Sequence, residues 1–137
     1  YENGGHSYHA TMPTDALKLF RDTMIETRQF GFQKLKEAQW ELGDEVRKML
    51  AARGITSVAA DGFGAPGVVV SYTDDPDVQN GTRFAENGVQ IAAGVPLQCD
   101  EPADFKTFRL GLFGLDKLYD VAATTNRVRR ALDAAEI

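Results

Sequence analysis

Thr107-Phe108-Arg109-Leu110-Gly111-Leu112-Phe113-Gly114 is the stretch on which the fold turns. Side chains of an extended strand point alternately to its two faces. Phe108, Leu110 and Leu112 therefore share one face, and Arg109, Gly111 and Phe113 share the other. An apolar face opposite a mixed one is what a strand of a half-covered antiparallel sheet requires. The mixed face carries a guanidinium with Gly111 beside it, which leaves room for a ligand to approach. A planar five-donor fork suits a carboxylate, so Arg109 is a candidate binding residue. Chemistry alone does not separate that role from an exposed strand arginine.

Downstream, Gly114-Leu115-Asp116 opens a last helix with Leu118, Val121, Thr125, Val128 and Leu132 on one side. Arg127, Arg129 and Arg130 sit toward its negative end, where cations are favoured. Upstream, short apolar or β-branched runs predict strands at 55–60, 68–72 and 89–93, with a short helix around 78–86. The glycine-rich stretch 62–67 leads into a strand. A phosphate loop instead opens a helix, whose N–H groups face the anion, so this stretch reads as a turn. Two helices come first. One runs over 14–29 with Thr14 as N-cap, and Gly31 breaks it from a longer second helix. The second carries the stripe Leu35, Ala38, Leu42, Val46 and Leu50, ends at Gly54, and keeps Trp40 on its polar side. This order predicts an α/β protein of the α+β kind, with helices covering one face of a mostly antiparallel sheet. The first helix has no strand before it to pack on. Residues 1–29 are therefore read as an arm and helix belonging to something else, and residues 30–137 as the small domain.

The net charge of -5 gives no electrostatic footprint for a nucleic-acid backbone or an anionic membrane. Any anion must be held by a local site, because the global field opposes it. No apolar run approaches the roughly 20 residues that cross a bilayer. Cys99 is the single cysteine, which excludes an intrachain disulfide and predicts a reducing, cytoplasmic setting. Asp100 and Glu101 beside it raise the thiol pKa, which argues against a nucleophile. Asp74, Asp75 and Asp77 read as a solvated loop without calcium-loop spacing. The arm, residues 1–13, has no periodicity. Tyr8 and Thr11 each offer an O–H that a phosphate can accept, or the arm is simply solvated. His6 and His9 have no third ligand nearby for zinc. The polar start, with neither Met nor a basic n-region, is read as a cut in a longer protein.

The run Arg109-Leu110-Gly111-Leu112-Phe113-Gly114 is similar to the R-[IL]-G-x-x-G strand before the last helix of alanine–glyoxylate and serine–glyoxylate aminotransferases. Tyr8-His9-Ala10-Thr11-Met12-Pro13, followed by a helix, resembles the same family's Y-x-x-T-x-P segment. The resemblance covers nearly the whole chain, from arm to terminal helix, although residues 94–100 depart from the family's glycine-rich loop. It implies the C-terminal domain of a class V, fold-type I aminotransferase. In that setting Arg109 binds the substrate's α-carboxylate. Tyr8 and Thr11 reach across a homodimer to the phosphate of pyridoxal 5'-phosphate. The implied reaction moves an amino group between a small amino acid and a 2-oxo acid such as glyoxylate or pyruvate, by a ping-pong mechanism. Residues 1–29 become the end of the large cofactor-binding domain. No lysine here stands in the family's Schiff-base context, so the resemblance implies a missing N-terminal large domain and no catalysis by this chain alone. A lyase or desulfurase of the same fold shares the scaffold. A free-standing ligand-binding or dimerisation domain without catalysis is the alternative from another class.

Overall fold

The computed structural model describes Gly4 and residues 10–137. The chain divides into two compact units, Tyr1–Phe32 and Gln33–Ile137.

In the first unit, α1 (Thr14–Phe30) runs up to Gly31, whose φ of 99° is a conformation glycine reaches without steric penalty. Thr14 does not cap it. Pro13 holds the N-cap position with no side-chain hydrogen bond, and Thr14 already lies in the helix. None of the residues of α1 is buried.

The second unit begins its helical layer with α2 (Phe32–Ala51). Its stripe turns inward as the spacing predicts: Leu42, Val46 and Leu50 are buried, while Leu35 and Ala38 are partly so. Gly43 is buried between them for a steric reason. A Cβ there would stand 2.7 Å from Pro66 O, so only glycine lets α2 lie directly on the 62–67 turn. The remaining elements are β1 (Val68–Tyr72), α3 (Pro76–Asn80), α4 (Thr82–Glu86), β2 (Ala92–Ala93), β3 (Thr107–Gly111), α5 (Leu115–Leu118) and α6 (Val121–Ala134). The three strands form one antiparallel sheet in the order β1-β3-β2. Val69, Phe108 and Leu110 on one sheet face join α2, Val78, Phe84, Leu118 and Leu132 in a single core. Each fully buried side chain of this size contributes about 1.5–3 kcal/mol. The other face carries Val68, Val70 and Arg109, which are half-buried, and Tyr72 and Gly111, which are exposed. Thr107 is the exception on that face, being 1% exposed.

Four further expectations need correction. The segment 55–60 is no strand. It touches the sheet at one bridge, Ser57↔Ser71, with Val58 N–H donating to Val70 O and Tyr72 N–H to Thr56 O. The helix expected around 78–86 is two short helices, because Gly81 takes φ 85° and breaks it. Asp75 starts the first of them by accepting from Asp77 N and Val78 N, with Pro76 in the first turn. The strand expected at 89–93 shrinks to Ala92–Ala93, since Val89 and Ile91 turn toward the core instead. The last helix is also split. Asp120 accepts from Ala123 N and restarts the chain as α6. The three arginines stand before its last turn, which has no basic residue.

Candidate functional site

Arg109 owes its position to β3 being the central strand. It lies opposite Val70 of β1 and opposite Ala92 of β2. The apolar neighbours Phe108 (1% exposed) and Leu110 (7%) are driven into the core, and alternation turns Arg109 to the uncovered face. Its Nε donates to Ala93 O at 2.9 Å. Nη1 and Nη2 make no hydrogen bond among the described residues. The guanidinium plane is thus tied at one nitrogen, and the end-on fork is left for another acceptor. Gly111 keeps the neighbouring space open: a Cβ there would meet only Phe113 Cε1, at 3.8 Å. Phe113 also borders Gly67, and Tyr72 meets Phe105 edge to face at 5.7 Å. The surface around Arg109 is therefore aliphatic and aromatic with one oriented cation in it. Such a surface accepts a small molecule with one carboxylate.

The other residues singled out from the sequence stand elsewhere. Thr11 is exposed and belongs to the first unit. Tyr8, with His6 and His9, lies outside the described residues. Cys99 is exposed, and its thiol is held above its ordinary range by desolvation first and then by Glu101. That agrees in direction with a non-nucleophilic cysteine, although Asp100 takes no part.

Two features were missed. Ala93 O as the anchor of Arg109 depends on register, which no spacing rule supplies. The loop after β2 is organised by Glu101, whose carboxylate accepts from Leu97 N, Gln98 N and Cys99 N. These bonds, Cys99 N–H foremost, hold the Glu101 carboxyl down at about 2. Gln98 and Asp100 both adopt positive φ to aim the amides inward. A second arginine, Arg47, lies under the 62–67 turn, with Nη2 donating to Ala65 O. Its Nε and Nη1 are buried without a partner, and Gly64 packs on the guanidinium so closely that a Cβ would meet Cζ at 2.8 Å. Arg47 is shut in, whereas Arg109 is open. Among the described residues no helix is long and apolar enough to cross a membrane. Compared with models of known families the chain matches none, and no curated protein matches it.

Proposed function

We propose that this chain is the C-terminal part of a class V, fold-type I aminotransferase in which Arg109 receives the α-carboxylate of a small amino acid or 2-oxo acid. One observation carries the reading. Arg109 stands mid-strand on the uncovered sheet face, with Nε tied to Ala93 O and its terminal nitrogens unengaged among the described residues. A guanidinium oriented before its ligand arrives loses less freedom on binding. The resemblance of 109–114 and 8–13 to the family's segments supports the same assignment.

Pyridoxal phosphate, when bound, supplies the electron sink that amino transfer needs. Thr11 is exposed and carries the hydroxyl donor a phosphate requires, and Tyr8 carries a second. Holding the cofactor covalently falls to a lysine of an N-terminal large domain, and the expected setting is a cytoplasmic homodimer. What this chain contributes is substrate orientation. Val70 and Ala92 stand on either side of Arg109 in the sheet, Val70 half-buried and Ala92 exposed.

The test is substitution of Arg109 in the complete enzyme. A charged hydrogen bond to a carboxylate contributes roughly 1.5–3 kcal/mol. Arg109→Ala is expected to lower kcat/KM by about one to two powers of ten. Arg109→Lys, which keeps charge but loses the fork, falls between. Folding should change little, because the side chain lies on the sheet face opposite the core and makes one hydrogen bond there, to Ala93 O. An Arg109→Ala enzyme with normal kcat/KM and a collapsed fold would make the residue structural.

A further inference from the structure

β2 pairs with β3 at only two positions, Ala92↔Arg109 and Ala93↔Phe108. Before Ala92 the chain leaves the sheet through Gln90 and Ile91, while β3 continues past Leu110. The two segments diverge, and α6 closes the gap from the side. Between them lies a cavity of about 510 Å³, within the ordinary size for small-molecule sites. It is partly open and mostly apolar, with Phe84, Leu110, Val128 and Leu132 among its walls, and Arg109 is not part of its lining.

Charge at the rim is one-sided. Asp116 and Lys117 both line the cavity, but they face each other at 3.2 Å and match. Arg127 lines it too. Its Nη2 donates to Thr124 Oγ1 at 2.7 Å, and Thr124 Oγ1 in turn donates to Lys117 O. No salt bridge among the described residues involves Arg127. An unmatched guanidinium, braced by a buried threonine, therefore overlooks an apolar chamber.

We infer that this cavity binds a small carboxylate with an apolar tail, its carboxylate on Arg127 and its tail against Leu110 and Leu132. Charge complementarity selects the head group, and the apolar part of the wall selects the tail. The cavity borders the Arg109 face at Gly111 but does not include Arg109.

Hexanoate, acetate and hexan-1-ol distinguish the contributions when titrated into the 137-residue chain while the amide signals of Gly88 and Val128, both in the cavity lining, are followed. Hexanoate is expected to shift both signals saturably. Acetate, lacking the tail, and hexan-1-ol, lacking the charge, should each bind about tenfold more weakly or worse. Arg127→Gln, at an exposed position, should reduce hexanoate to the affinity of the alcohol. Ala131→Phe should fill the chamber and abolish binding, and Arg109→Gln should leave binding unchanged. The inference is overturned if hexanoate gives no saturable shift at millimolar concentration. It also fails if the alcohol binds as tightly and Arg127→Gln has no effect. A loss caused by Arg109→Gln instead would move the ligand to the sheet face, which equally removes it from this cavity.

Discussion

Over α1 the apolar residues recur as Leu17, Phe20 and Met24; over α2 they recur as Leu35, Ala38, Leu42, Val46 and Leu50. Both are amphipathic in the same sense, and both carry charged residues on the reverse side. Their surroundings differ completely. Leu42 and Val46 are 0% exposed, whereas Leu17, Phe20 and Met24 are 49%, 64% and 55% exposed. A helical stripe specifies which side of a helix wants cover, and says nothing about whether cover is present. Within α2 the cover is a sheet whose apolar face meets it. Stability should therefore reside in the second unit and scale with packing, while α1 should respond mainly to local helix propensity.

The strongest way to break that contrast is to truncate matching apolar positions. Leu42→Ala empties space inside the core and should destabilise the chain by about 2–5 kcal/mol. Phe20→Ala should change the unfolding free energy by less than about 0.5 kcal/mol, as surface substitutions usually do. Urea unfolding of both variants checks this. Equal losses would show that α1 is covered after all.

A sharper test uses glycine in opposite directions. Gly43→Ala raises helix propensity, yet its Cβ would stand 2.7 Å from Pro66 O and 2.9 Å from Pro66 Cα. Backbone cannot yield as a side-chain tip does, so overpacking of about 1–3 kcal/mol should outweigh the propensity gain. Leu19→Gly, at a residue 69% exposed, should lower helicity by circular dichroism yet leave the main unfolding midpoint in place. A stabilised Gly43→Ala chain would contradict the close approach of α2 to the 62–67 turn.

The smallest effect concerns a segment with no periodic pattern at all, the loop after β2. Glu101 titrates at about 2 in the fold against an ordinary 4.5, chiefly because Cys99 N–H bonds its carboxylate. A depressed carboxylate stabilises the folded form above its unfolded pKa, and that contribution is lost as pH falls through the folded one. Between about pH 4.5 and 2, amide signals of Leu97, Gln98 and Cys99 should move together and their exchange protection should fall. Glu101→Gln should remove this pH dependence. Unchanged amides across that window would show that other contacts hold the loop.

Much of this was legible in the sequence because it follows from periodicity. The period of two in 107–113 fixes the opposite facing of Phe108 and Arg109, and a helical period fixes the stripe of α2. What escaped depends on partners distant in the chain. Ile55 to Ala60 looks apolar enough for a strand, but only Ser57 finds a bridge. Gly81 and Asp120 each divide what reads as one helix, through positive φ in one case and a capping carboxylate in the other. The candidate site divides in the same way. Alternation gives the face of Arg109, whereas register gives its anchor on Ala93 O. The Arg127 cavity lies where the chain before Ala92 has left the sheet, which its apolar run does not predict.

Residues 56–58 do more than run beside β1. Val68-Val69-Val70 is the kind of uncharged, β-branched run that recruits a foreign strand when its backbone is bare. Val70 O and Tyr72 N–H are already taken, by Val58 N–H and Thr56 O. Its own chain thus occupies the outer edge of β1 at those two groups, where a neighbouring strand would otherwise pair.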